Sequence, residues 1–256
     1  MEVSHTSRLA LNALSIAVVL ATWQLISSTG VLGDFLLPSI PSVLLRFYGD
    51  LVDGSLLERA GQTLEVTFAG FAIAAVLGLI IGIVTARVRF ARWLFDPLIS
   101  VGLPTPKIAF LPIFILWFGV FDELKIALVT FNCVFPIIVS AWAGADGVDE
   151  FLVWSARGMG ARRSQVLSEV VLPAAAPSIL TGLQVALPLS LIVTIVTEMA
   201  TGGDGLGGAM IRATRLADSP GVFSGVLAVG LVGFALLKSA ELIRRRLLAW
   251  HVETQR

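Results

Sequence analysis

Apolar runs of about 20 residues, the length a helix needs to cross the hydrocarbon core of a bilayer, recur along the chain between short polar connections. They lie approximately at Leu9 to Ser27, Leu64 to Thr85, Leu98 to Gly119, Leu124 to Ala143, Ser178 to Ala200 and Gly221 to Ile243. The pattern predicts an all-α integral membrane protein of about six transmembrane helices. Between the first two runs, Pro38 and Pro41 break the chain, and apolar and charged residues then mix at helical spacing, as in an amphipathic surface helix. The polar stretch from Glu150 to Pro173 separates the fourth and fifth runs. It reads as two short helices around a turn. Asp149 and Glu150 favour a helix start, Gly160 is placed to end that helix in a left-handed cap, and Val166, Leu167, Val170 and Val171 form an apolar stripe on the next. Ser155, Ala156 and Gly158 would give the first helix a small-residue face for a partner, and Pro173 and Pro177 would redirect the chain into the fifth span.

Composition places the chain in lipid. Hydrophobic residues make up 56% and charged residues 14%, with mean hydropathy +0.90, more apolar surface than a soluble domain can bury. The first run follows MEVSHTSR without a convincing small-residue cleavage site, so it is expected to be a retained span. The formal net charge is zero, which argues against a nucleic-acid partner.

The distribution of Lys and Arg orients the spans. With the amino terminus in the cytoplasm, the inner set is Arg8, Arg87, Arg89, Arg92, Arg157, Arg162, Arg163, Lys238, Arg244, Arg245, Arg246 and Arg256. Arg46, Arg59, Lys125, Arg212 and Arg215 fall outside, among many acids. Both termini and the Glu150–Pro173 platform are therefore expected in the cytoplasm. The chain divides into residues 1–63, holding the first span and the outer amphipathic segment, a transmembrane core at 64–246, and a cytoplasmic tail at 247–256.

Polar groups within spans are expensive and are candidates for a pathway. Lys107 stands among Pro104, Pro106 and Pro112, where helix must kink or unwind. It suits an anionic solute, or else snorkels to the near interface. Glu198, at the outer end of the fifth span, gates the pathway or braces the following Gly-rich loop. Gln184, Ser190, Thr194, Thr197 and Asn132 either line a path or bond helices together. Gly70, Ala74, Gly78 and Gly82 recur every four residues, a close-packing face. The run from Gly202 to Gly208 is expected to be a flexible outer turn.

Catalytic chemistry finds no constellation. The two histidines, His5 and His251, are near the chain ends, and the single Cys133, in an apolar run, excludes an intramolecular disulfide or a multi-cysteine metal cluster. No lysine follows a glycine, so the P-loop is missing. The chain is read as a non-enzyme that binds no metal or cofactor.

The platform resembles the cytoplasmic signature of permease subunits of binding-protein-dependent ATP-binding-cassette (ABC) importers of type I fold: Glu-Ala-Ala, three residues, Gly, nine residues, Ile, one residue, Leu-Pro. In that register stand Trp154, Ser155 and Ala156, then Gly160, Val170, Leu172 and Pro173. Trp154 departs from the usual glutamate. LPTPKIAFLPIFILWFGV, FPIIVSAWAG, PSILTGLQVAL and TEMATGGDGLGGAMIRA resemble the subgroup serving nitrate, taurine, alkanesulfonates, bicarbonate and similar solutes.

The resemblance implies a bacterial inner-membrane permease for a small, anionic solute, with ATP and Mg held by a separate ATPase. Its implied partners are two ATPase subunits, a second permease copy, a periplasmic or lipid-anchored solute-binding protein and membrane lipid. Trp154, Ser155, Ala156, Arg157, Gly158, Met159, Gly160, Ala161, Leu172 and Pro173 would couple to the ATPase. Lys107, Gln184, Ser190, Thr194, Thr197 and Glu198 are the pathway candidates. The rival readings are an ion-gradient-driven secondary transporter and a structural subunit of a membrane complex.

Overall fold

The computed structural model describes residues 5–31 and 33–249, and these are helical with no strand among them. The expected tail falls mostly outside the described residues, as do His251 and Arg256. In chain order the helices are α1 (His5–Ser28), α2 (Gly33–Leu36), α3 (Ile40–Val52), α4 (Ser55–Arg87), α5 (Arg89–Gly102), α6 (Leu111–Phe118), α7 (Asp122–Asp146), α8 (Glu150–Gly158), α9 (Arg163–Gln165), α10 (Leu172–Thr201), α11 (Leu206–Arg215) and α12 (Ser219–Leu247).

Among the described residues, four stretches of helix are long and apolar enough to cross a membrane: α4, α7, α12 and the one containing α10. The third expected span is not straight. It is α5 and a second helical piece from Lys107 to Phe118, meeting at 93°; counted as one, it brings the total among the described residues to five. Pro104 and Pro106 withhold backbone donors at the break. α1 runs for 24 residues over the first expected span, and its stretch Leu14–Ser28 is apolar.

α4 begins about nine residues before the apolar run that announces it, so a continuous helix crosses the expected 63/64 boundary. Its packing face is one row at three-and-four spacing: Thr63, Thr67, Gly70, Ala74, Gly78, Gly82 and Thr85, all buried. A Cβ added at Gly70 would stand 2.7 Å from Val129, one at Gly78 2.7 Å from Ile137, and one at Gly82 2.7 Å from Ala141. The missing side chains let α4 lie directly on α7. Leu124, Leu128, Val129, Cys133 and Ile137 of α7 join Ala74, Phe114, Ala186 and Val193 in the main core. α7 is thus held between α4 and α10, with Cys133 buried as expected.

The expected amphipathic segment is α3, opened by Ser39, whose side chain accepts from the Ser42 amide. It is pinned at both ends. Trp23 Nε1 and Gln24 Oε1 of α1 bond Pro38 O and the Ile40 amide, each at 3.0 Å. Arg46 reaches Asp50 at 3.1 Å and Asp218, at the start of α12, at 3.2 Å. In the α3–α4 turn, the Ser55 amide and hydroxyl hold the Asp53 carboxyl below its usual range.

Candidate functional site

The platform grows out of the ends of the spans. Asp149 caps α8 by accepting from the Phe151 amide at 2.9 Å. At its other end Gly160 adopts φ +89°, and the amides of Gly160 and Ala161 bond the carbonyls of Arg157 and Ala156 at 2.9 and 3.0 Å. That is the paired-bond Schellman cap expected from the glycine. Gly160→Val is expected to cost about 1–2 kcal/mol, since a β-branched residue resists the left-handed region; hydrogen exchange at the Gly160 and Ala161 amides reads the loss.

Val153 and Ala156 point into a cluster with Ala145, Val148, Val166, Val171 and Ala175, backed by Ile83 and Ala86. These residues come from the ends of α4 and α7 and the start of α10, so α8 lies across the end of the bundle. The expected small-residue partner face is therefore corrected at Ala156, while Ser155 and Gly158 remain exposed. Ala156 is buried, and a bulky acid there would wreck the platform rather than test docking. At about 100° per residue, the side opposite Val153 and Ala156 carries Phe151, Trp154, Ser155 and Gly158, all exposed. Arg157 and Met159 are exposed on the flanks, Ala161 is half-buried, and Leu172 and Pro173 are exposed.

The chain does not break at Pro173. From α9 the helix passes through a π turn at Val166–Val171 straight into α10, the wider turn leading into the proline that lacks a donor. Around the platform, Arg87 donates to Ala145 O at 2.6 Å, and Arg92 pairs with Asp146 and covers the Trp142 ring. This underpinning was not foreseen from the sequence.

Lys107 is only 8% exposed. Its ammonium donates to Leu103 O at 2.7 Å and sits 4.9 Å from the Phe135 ring centre, with no carboxylate in ion-pair reach among the described residues. Phe135 is near the middle of α7, so the lysine lies at mid-span rather than snorkelled to an interface. It bonds the carboxyl-terminal end of α5, where the helix dipole favours a cation.

The remaining pathway candidates face protein. Glu198 is 1% exposed and accepts from Thr63 Oγ1 at 3.0 Å and from the Gly207 amide at 2.9 Å, while Thr63 Oγ1 accepts from the Leu206 amide at 2.9 Å. Thr194 lies 3.0 Å from Thr67, hydroxyl to hydroxyl, and Ser190 and Thr197 bond carbonyls of their own helix. All four are buried, Thr194 and Glu198 in the seam between α4 and α10. Gln184 accepts from Arg244 of α12 at 2.7 Å. Glu198 thus braces the glycine-rich turn, which is packed rather than loose: a Cβ at Gly205 would strike the Glu198 carboxylate at 2.1 Å. Thr63 and Thr67 were missed in the sequence, although continuing the Gly70–Gly82 row toward the amino terminus reaches both.

Away from the platform, a cavity of about 720 Å³ opens between α4, the start of α7 and the 203–205 turn. Glu65, Asp122, Glu123, Asp204 and Glu198 line it with Lys125, whose ammonium is 2.7 Å from Asp122. The mouth is acidic.

Residues 74–249 match the family described as binding-protein-dependent transport system inner membrane component. The chain belongs to this family. It is 32% identical over 235 residues to the putative aliphatic sulfonates transport permease protein SsuC of Bacillus subtilis, covering 91% of this chain and 85% of that protein. It is 29% identical to the taurine transport system permease protein TauC of Escherichia coli, covering 94% and 90%. Among solved structures, an inward-facing form of the MetNI methionine ABC transporter superposes with TM-score 0.68 at 17% identity, over 77% of this chain and 98% of that one. As a family member the protein is an importer permease with the type I fold.

Proposed function

We propose that this permease forms, with a second copy, the inner-membrane path of an ATP-driven importer for a small sulfonate-class solute. A solute-binding protein delivers the solute from outside, and two separate ATPase subunits hold ATP and Mg and drive transport through α8. The observation that carries this reading is α8 itself, a capped helix laid across the ends of α4, α7 and α10 with one face free, so that force applied to it reaches three spans. The arginine distribution supports cytoplasmic termini, with residues 1–63 holding a first span and an outer amphipathic segment and residues 64–246 forming the transmembrane core.

Lys107 is the group in this chain best suited to an anion on the path, being a mid-span ammonium with no carboxylate partner among the described residues. The acidic cavity favours a solute that carries an ammonium as well as a sulfonate, as taurine does, over a simple anion such as nitrate. Reconstitution with the ATPase and binding protein tests the assignment. Taurine or an alkanesulfonate should raise ATP hydrolysis and accumulate in the liposomes; a flat response to every anion offered rejects the solute class. Lys107→Gln should lower uptake at least tenfold more than Lys107→Arg, which retains the charge.

A further inference from the structure

Phe151 and Trp154 are 69% and 56% exposed and meet in an edge-to-face pair with centroids 5.4 Å apart. They stand one turn apart on the side of α8 that faces away from the bundle, so burial within the chain does not account for them. Leu152 and Met159, 52% and 84% exposed, extend the apolar surface on one flank. Gly158, with open space where a Cβ would be, keeps the surface flat beyond Trp154. Arg157, Arg162 and Arg163 are exposed around the carboxyl-terminal end of the helix. Among the described residues none of the three makes an ion pair.

We propose that Phe151 and Trp154 form an aromatic knob that seats in an apolar groove of the ATPase, with the three arginines meeting carboxylates on the groove's rim. This rests on the reading that α8 is the ATPase contact, and it specifies the partner's chemistry at that contact. The family signature that the platform resembles has a glutamate at this position, where this chain has an indole. A groove built to receive a carboxylate offers a polar or cationic wall that Trp154 would leave unpaired, and such a mismatch discriminates between partners. Buried aromatic anchors ringed by charge also match the anatomy of interface hot spots. The membrane interface is a rival home for an exposed tryptophan. Against it, the buried side of α8 covers the ends of the spans, which turns the aromatic side away from them.

The test uses the full-length permease in nanodiscs and its cognate ATPase subunit. Trp154→Ala should weaken ATPase binding at least about 30-fold, the scale of a hot-spot residue, and Trp154→Glu should weaken it as much rather than restore it. Replacing Arg157, Arg162 and Arg163 with glutamine should weaken binding and flatten its salt dependence. Because these side chains are exposed, thermal unfolding should stay within a few degrees of the parent. Wild-type affinity in Trp154→Ala, with the ATPase still bound, overturns the knob and leaves α8 as the contact. Failure of the wild-type ATPase to bind at all overturns both readings. A bimane label on Trp154→Cys should be shielded from aqueous quencher when the ATPase is added, since Cys133 is buried and does not compete. Quenching by brominated lipid, unchanged by the ATPase, would assign this face to the membrane and reject the proposal.

Discussion

Gly78→Leu is expected to leave little correctly assembled permease. A Cβ at this position already stands 2.7 Å from Ile137 Cγ2 and 3.1 Å from the Val134 carbonyl, so the rest of a leucine has no space without parting α4 from α7. Overpacking of this kind costs about 1–3 kcal/mol where neighbours can shift. Here the backbone of α7 is in the way, and α7 is held from its other side by α10. The cost should therefore reach the top of that range or pass it. Gly78→Ala should show the same defect more weakly, and Ile137→Ala in the same chain should recover part of it by vacating the methyl. Size-exclusion profiles and unfolding midpoints in detergent check the series. A Gly78→Leu protein as stable as the parent would show that α4 and α7 do not meet as described.

Glu198→Ala should be the second severe change. Its carboxylate accepts from the Thr63 hydroxyl and the Gly207 amide, and both donors are buried. Leaving a buried donor unsatisfied costs about 1–3 kcal/mol each. The loss should be local first, because the contacts join the start of α4 to the turn leading into α11. Hydrogen exchange should quicken at Leu206 and Gly207 before the rest of the bundle responds. Thr63→Val alone should produce part of the effect, and the double variant should fall short of the sum, as expected for groups in one network. Additive effects would mean that the two residues act separately.

These two expectations show where the sequence was readable. The Gly70–Gly82 row was legible because close helix packing in lipid requires small residues at a fixed period. The same row hid its polar continuation, since Thr63 precedes the apolar run and Thr67 stands near its start, where small residues no longer mark the row. Glu198 was read as gating the pathway or bracing the turn, and its partners lie beyond local pattern, 135 residues away in Thr63 and nine away in Gly207. Lys107 was read either as a pathway group or as snorkelling to the near interface, because hydropathy counts residues along the chain as though the span were straight. The 93° break placed it at mid-span instead.

By itself, the sequence determined that the chain lives in lipid, that its helices cross in series, and that a polar platform with a glycine cap interrupts them. Those properties follow from hydropathy, helix period and local φ preference, all of which act over a few neighbouring residues. Only the tertiary structure decided which side of each helix meets protein. It turned Ala156 inward and Trp154 outward, it enclosed Thr194 and Glu198 in the seam between α4 and α10, and it buried Ser190 and Thr197. The choice depends on which distant helices close around each residue, and a helix's own periodicity carries no information about where its partners lie.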